Sequence, residues 1–197
     1  MLERFEMDEA FSVYFDEIAA CLRAKTFWAL LHMTACLPDI CAALEAANGE
    51  AYGNGYKDWA DEFLKDASLD GSDWYELRCK ILHQGRTIAK KSRYSKFIFS
   101  QPAADRTSRH KVVSGNEIEL DVAELAREVV DGIRNWFSRL LSHPTAAATK
   151  NVEANLFSLV KLIPTASPAP AAAAQVAVVD VQIAPGTISP PTFKTSS

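Results

Sequence analysis

Residues 26–37 read TFWALLHMTACL, and this stretch decides the fold because it is apolar on nearly every side of a helix. A helix without a polar face has to be buried, so we predict that this segment is the central core element. Pro38 follows directly, and proline suits the first turn of a helix. It therefore either kinks this segment or opens a new helix that continues to Leu44.

Amphipathic stripes on both sides of the central segment predict a mainly α fold. Apolar residues recur at steps of three and four over residues 3–23, 56–64, 74–84, 121–141 and 149–163. Asp121 with Glu124 fits the start of the fourth of these helices, and Gly85 fits the end of the third. Ser72 or Asp73 can cap the start of the third. We expect these helices to form an antiparallel bundle.

Two short segments and the C-terminal composition complete the predicted organisation. Residues 95–100 and 117–121 have strand character and are expected to form a small β-hairpin joined by a basic loop. From residue 164 onward the chain is rich in Ala, Pro, Ser, Thr and Val. We predict one domain over residues 1–163 and a disordered Ala/Pro-rich tail over residues 164–197, although residues 176–183 could instead add to a sheet edge.

Location and cofactors are constrained by what the sequence lacks. The acidic N-terminus is unlike a secretory signal, and we find no stretch of the roughly 18–20 uncharged apolar residues that a membrane helix needs. We expect a cytoplasmic protein without membrane contact. The four cysteines form no Cys-x-x-Cys pair, which favours reduced, buried thiols. His32 and Cys36 lack a second ligand pair, so no metal and no cofactor are predicted.

The charge is unevenly distributed along the chain. Residues 78–111 carry ten Lys or Arg and one acid, whereas the rest of the chain carries 11 basic and 24 acidic residues. This segment is either a solvated basic loop that faces an acidic body or a surface that binds phosphate.

The basic segment begins with YELRCKILHQGR, residues 75–86, in which Arg78 falls near the centre of an apolar helical arc. An unpaired buried charge is costly, so Arg78 has to find an acid such as Asp39, a set of carbonyls, or a cleft shared with another chain. His83 lies about 140° further round the helix, so the two side chains need not touch. His83 could also sit over the helix C-terminus, and both residues would then be purely structural.

Arg78-x-x-x-x-His83 on a helix of a small helical domain resembles the motif of the HEPN superfamily (higher eukaryotes and prokaryotes nucleotide-binding). The surrounding stretches LPDIC (37–41), YELRC (75–79) and LHQG (82–85) look like a bacterial group within or near that superfamily. The resemblance covers residues 1–142 in order of elements. It departs from the family at Cys79, where a polar residue often follows the arginine.

The resemblance implies a homodimer in which two Arg/His pairs meet and cleave RNA without a metal ion. His83 would act as general base or acid at the ribose 2′-hydroxyl, and Arg78 would hold the phosphate. A toxin or phage-defence setting, with an antitoxin or regulatory partner, follows by the same analogy. The alternatives are a non-catalytic module that binds RNA or a nucleotide, and a helical protein-interaction domain with structural Arg78 and His83.

The basic segment agrees with RNA as a partner, since cations interleaved with aromatic residues suit single-stranded RNA. The candidate RNA-binding residues are Arg86, Lys90, Lys91, Arg93, Lys96, Arg109 and Lys111. A solvated hairpin explains these cations equally well. For the aromatic residues, inward packing of Phe97 and Phe99 is favoured over base stacking.

Overall fold

The computed structural model describes residues 3–102 and 109–159 and shows a mainly helical bundle with one small sheet, which confirms the predicted fold class. The helices are α1 (Arg4–Ala24), α2 (Phe27–Glu45), α3 (Gly53–Phe63), α4 (Gly71–Gln84), α5 (Val122–Ser142) and α6 (Ala147–Asn155), followed by a 3-10 turn at Leu156–Ser158. The strands are β1 (Lys96–Ser100), β2 (Val112–Ser114) and β3 (Glu117–Asp121).

Helix α2 is the centre of the bundle, as its composition predicted. It packs against α1, α3, α4, α5 and α6, and Leu30, Leu31 and Leu37 are almost fully buried. Pro38 lies inside this helix, so it does not open a new one. Because α2 contacts α3 and α4 as well as the outer helices, it fixes where the α4 side chains lie relative to its own.

Helix α2 is not buried all round, and in this respect the sequence prediction was wrong. Trp28 is 61% exposed, and His32, Cys36 and Asp39 are partly exposed on the same face. We call these four residues the α2 stripe. By length and composition alone α2 could also cross a membrane, contrary to our expectation, but half of its most apolar window is buried inside the protein. Its packing is that of a core helix.

An aromatic cluster joins α1, α3 and α5 beside α2. Phe11 packs edge-on against Trp136 and Phe137, with ring centroids 5.9 and 5.1 Å apart, and Trp136 also meets Trp59. Buried aromatic rings of this kind contribute more than their area alone. Asp121 caps α5 by accepting the backbone N–H of Ala123 at 2.8 Å, as the sequence predicted.

The sheet corrects the predicted hairpin. The two segments named from the sequence are strands of one sheet, but β1 pairs with β3 in parallel, with Phe97 opposite Ile118. The antiparallel hairpin lies instead between β2 and β3, and Gly115 takes a positive φ of 62° in its turn. The strand order is therefore β1-β3-β2.

The last helix of the domain is shorter than predicted. α6 ends at Asn155 and gives way to the 3-10 turn, whereas the sequence pattern extended this helix to residue 163. Residues 160–197 lie outside the described residues. The boundary at residue 163, the tail, and its alternative as an added strand over residues 176–183 therefore stay predictions.

Candidate active site

Helix α4 carries both residues of the Arg/His motif, and its two ends are fixed by local chemistry. Asp70, rather than Ser72 or Asp73, is the N-cap: its side chain accepts the backbone N–H groups of Ser72 and Asp73, each at 3.0 Å. The Asp73 side chain in turn accepts the backbone N–H of Asp70, which completes a capping box. Gly85 ends the helix with a left-handed backbone, as predicted.

Arg78 reaches across to the central helix. Its Nε donates to Oδ2 of Asp39 at 2.6 Å, which is the acid that the sequence suggested as its partner. The Arg78 and Asp39 side chains are 20% and 24% exposed, so the pair is partly shielded from water but open at one side. The ion pair gives the Arg78 charge a partner and still leaves the side chain partly in contact with solvent.

Arg78 also contacts His83 directly. Its Nη1 lies 2.7 Å from Nε2 of His83, which is exposed in the last turn of α4. From helical geometry alone the two side chains did not need to meet. They do so because the long arginine side chain spans the turn, so Asp39, Arg78 and His83 form a continuous chain of contacts.

Asp39 raises the pKa of two neighbouring groups, Arg78 and Cys36. Burial alone lowers the pKa of the Arg78 guanidinium, but the hydrogen bond and the charge of Asp39 outweigh burial and raise that pKa above its ordinary value. Burial also raises the pKa of the Cys36 thiol, with the Asp39 charge adding to the shift. At neutral pH Arg78 is therefore a guanidinium and Cys36 a neutral thiol.

Two tyrosines that the sequence analysis did not single out lie beside Arg78. Burial raises the pKa of Tyr56 well above its ordinary value, and its hydroxyl is buried with no hydrogen-bond partner among the described residues. Tyr75 packs edge-on against Tyr56, and Lys57 Nζ lies 5.2 Å from the Tyr75 ring centroid. A Cβ on Gly53 would come within 2.8 Å of the Tyr75 hydroxyl, so a side chain at this position would displace the Tyr75 ring. Gly53, Tyr56 and Lys57 belong to no recognisable motif, whereas Tyr75 begins the YELRC stretch that contains Arg78.

The predicted RNA-binding residues divide into two groups. Four are engaged in ion pairs within the chain, and we call them the paired cations: Arg93 with Asp70 and Asp73, Lys96 with Glu117, Arg109 with Glu119, and Lys111 with Asp66 and Glu128. The remaining three, Arg86, Lys90 and Lys91, are exposed and form no ion pair with the residues that the structure describes. We call these three the loop cations.

Two buried carboxylates on α4 hold residues 90–93, the segment that carries Lys90 and Lys91. Glu76 accepts the backbone N–H groups of Lys90 and Lys91, at 2.9 and 3.4 Å. Asp73 accepts from the Ser92 hydroxyl at 2.5 Å and from Arg93 Nε at 2.6 Å. Glu76 and His83 are seven residues apart and share a face of α4, roughly 10 Å along its axis. Lys90 and Lys91 are thus anchored on the side of α4 to which His83 belongs.

The aromatic residues of the basic segment pack inward, as the favoured alternative predicted. Phe97 is fully buried, Tyr94 is buried, and Phe99 packs against the core. Burial therefore removes the Tyr94 and Phe97 rings from base stacking and leaves only part of the Phe99 ring exposed. All four cysteines are free thiols, and Cys36 and Cys79 are partly exposed rather than buried. Among residues 3–102 and 109–159, no three His, Cys, Asp or Glu side chains are grouped to hold a metal ion.

Comparison of the chain with known proteins finds no match. No family model, no curated protein and no solved structure matches it. Function therefore has to be argued from the geometry of the site itself.

Proposed function

We propose that this chain is a metal-independent endoribonuclease of the HEPN type in which Arg78 and His83 act on one phosphodiester. The observation that carries the proposal is their direct 2.7 Å contact at a partly exposed position. A guanidinium and an imidazole so close together can engage adjacent atoms of one substrate group. The exposed loop cations follow α4 directly in the chain and supply charge for the flanking phosphates.

The proposed reaction uses the ribose 2′-hydroxyl as nucleophile. His83 accepts its proton while the 2′-oxygen attacks the adjacent phosphorus and the bond to the 5′-oxygen breaks. Arg78 donates hydrogen bonds to the phosphate oxygens, where negative charge builds up. The leaving 5′-oxygen takes a proton from a protonated histidine. Because the 2′-hydroxyl is the nucleophile, the substrate is RNA and not DNA.

We propose a homodimer as the active form, with the α2 stripe as part of the interface. The stripe contains no Lys or Arg, starts at the exposed Trp28 and ends at Asp39, the partner of Arg78. A second copy covering it brings two Arg/His pairs together. One imidazole can then take the proton of the 2′-hydroxyl while the other donates to the leaving oxygen. Such an interface is isologous, as in most dimers.

The cellular setting is proposed by analogy with the family. A ribonuclease acting in the cytoplasm has to be restrained, so we propose an antitoxin or another regulatory protein as partner, in a toxin or phage-defence system. A membrane has no role in this proposal.

Two alternatives each have one observation in their favour. A non-catalytic module that binds RNA or a nucleotide is favoured by Cys79, whose thiol is a weak hydrogen-bond donor at a position where the family often has a polar residue. A protein-interaction domain is favoured by the Arg78–Asp39 ion pair, since it gives the arginine a structural role.

The test is cleavage of a mixed RNA pool in EDTA by the wild-type chain, His83→Ala and Arg78→Ala. We expect each variant to lose about 10²–10³-fold in rate, the usual loss for a proton-transfer group or a charge-stabilising donor. His143→Ala is the matched control, because His143 is exposed at the end of α5, outside the site. Intact RNA with the wild type, or equal cleavage by all variants, would overturn the proposal.

A further inference from the structure

The contact between Arg78 and His83 fixes the protonation of the histidine. A guanidinium has only donors, so the 2.7 Å contact from Nη1 requires Nε2 of His83 to be the acceptor. The imidazole is then neutral and carries its proton on Nδ1. An imidazolium would present an N–H to the guanidinium, and the two like charges would repel each other.

This arrangement occupies the nitrogen that a general base needs. Nε2 has a single lone pair in the ring plane, and Arg78 uses it. A 2′-hydroxyl cannot donate to the same lone pair until that contact opens. In this arrangement His83 therefore cannot act as a general base. Asp39 keeps Arg78 in place by accepting a hydrogen bond from its Nε.

We infer that the Arg78–His83 contact is a resting contact that a substrate phosphate opens, and that Asp39 is the positioning residue that maintains it. A phosphate oxygen is anionic and accepts from a guanidinium far more strongly than a neutral imidazole does. When the phosphate takes Nη1, Nε2 of His83 is released. Binding of the phosphate thereby frees the base that acts next to it.

This inference rests on the proposed function for the identity of the phosphate, but its test does not need catalysis. The position of the imidazole proton is read by two-bond ¹H–¹⁵N correlation in chain labelled with ¹⁵N-histidine, at about pH 8, where imidazole is neutral. The chain has four histidines, and His83→Gln assigns the signals of His83 by their loss. We expect the wild-type His83 to carry its proton on Nδ1.

His32 and His143 are internal references. The Nδ1 atoms of these residues lie 2.8 and 3.0 Å from the carbonyl oxygens of Trp28 and Arg139, and a carbonyl only accepts. Both must keep the proton on Nδ1 in every variant. In Arg78→Met, which retains the aliphatic stem, we expect only His83 to change, with its proton moving largely to Nε2. Asp39→Asn weakens the hold on Arg78 and should shift the same signals part of the way.

The opening step is tested with a single-stranded 2′-deoxyoligonucleotide, which offers phosphates but no nucleophile. Added to saturation, it should shift both ring nitrogens of His83 and leave His32 and His143 unchanged. A wild-type His83 with its proton on Nε2, an Arg78→Met variant identical to wild type, or no effect of the oligonucleotide would each overturn the inference. If the oligonucleotide opens the contact but RNA stays intact, the resting contact stands and the nuclease proposal fails.

Discussion

The loop cations and the paired cations come from one basic segment, yet they do different things. Arg86, Lys90 and Lys91 are exposed, and a single carboxylate, that of Glu76, accepts the backbone N–H groups of the two lysines. The side chains of Lys96, Arg109 and Lys111 form ion pairs with acidic residues of the same chain. A run of like charges in a sequence therefore does not by itself measure the potential of a surface. What matters is whether an acid binds the backbone or the side chain.

The largest expected effect is the loss of the Asp73 carboxylate, which holds Ser92 and Arg93 directly after the loop cations. Asp73 is 1% exposed and accepts from Ser92, Arg93 and the Asp70 backbone. Asp73→Asn removes the charge and leaves donors without an acceptor, which should lower the free energy of unfolding by about 2–3 kcal/mol. Urea denaturation measures it. Asp131→Asn breaks an exposed pair with Arg134 and should cost less than about 0.5 kcal/mol. Equal losses in both variants would mean that Asp73 is no anchor.

A smaller effect separates the two groups of cations in RNA binding. Changing Arg86, Lys90 and Lys91 to Gln should weaken binding of a single-stranded RNA about 10–30-fold at low salt. The slope of log K against log salt should also fall by roughly 2, because three phosphate contacts are lost. The matched triple variant changes Lys96, Arg109 and Lys111 to Gln. It removes the same charge and should weaken binding less than about threefold. Fluorescence anisotropy over a salt series measures the RNA affinity of both triple variants. Equal losses of affinity would show that ion pairing does not distinguish the two groups of cations.

The smallest effect is the pH dependence of the anchor. Burial alone raises the pKa of Asp73 and of Glu76, but hydrogen bonds from Ser92 and Arg93, and from the Lys90 backbone, outweigh it and lower both. The resulting stabilisation is complete above the ordinary values of 3.8 and 4.5 and is lost as the pH falls through the still lower folded-state values. Amide exchange protection at Lys90 and Lys91 should therefore be constant down to about pH 4.5 and drop below it. Protection at Phe97 in β1 is the control, and a parallel drop there would point to global acid unfolding.

Local chemistry was predictable from the sequence. Asp121 caps α5 and Gly85 ends α4 because each acts through atoms only a few residues away. The N-cap of α4 was missed by two to three residues because Asp70 and Asp73 both fit, and their reciprocal bonds decide between them. The direction of strand pairing was missed because alternation marks a strand but says nothing of whether its neighbour runs parallel.

The site was only half predictable. Arg78 and His83 stand out in the sequence, and Asp39 could be named as one acid among several. The selection of Asp39 depends on the packing of α2 against α4, across 39 residues of chain. The Arg78–His83 contact depends on how far a side chain reaches, which helical angles do not report. The acids that neutralise Lys96, Arg109 and Lys111 come from β3, α5 and the segment before α4, so no local pattern separates these cations from the loop cations.

The exposure of Trp28 gives the chain an optical reporter of its own. Trp59, Trp74 and Trp136 are buried, whereas Trp28 is 61% exposed at the start of the α2 stripe. Iodide in solution can therefore collide with one indole of the four and quench its emission, while the other three stay bright. Any protein that covers the stripe shields that one indole. Steady-state fluorescence thus follows association at this face without a label, at concentrations far below those that scattering requires.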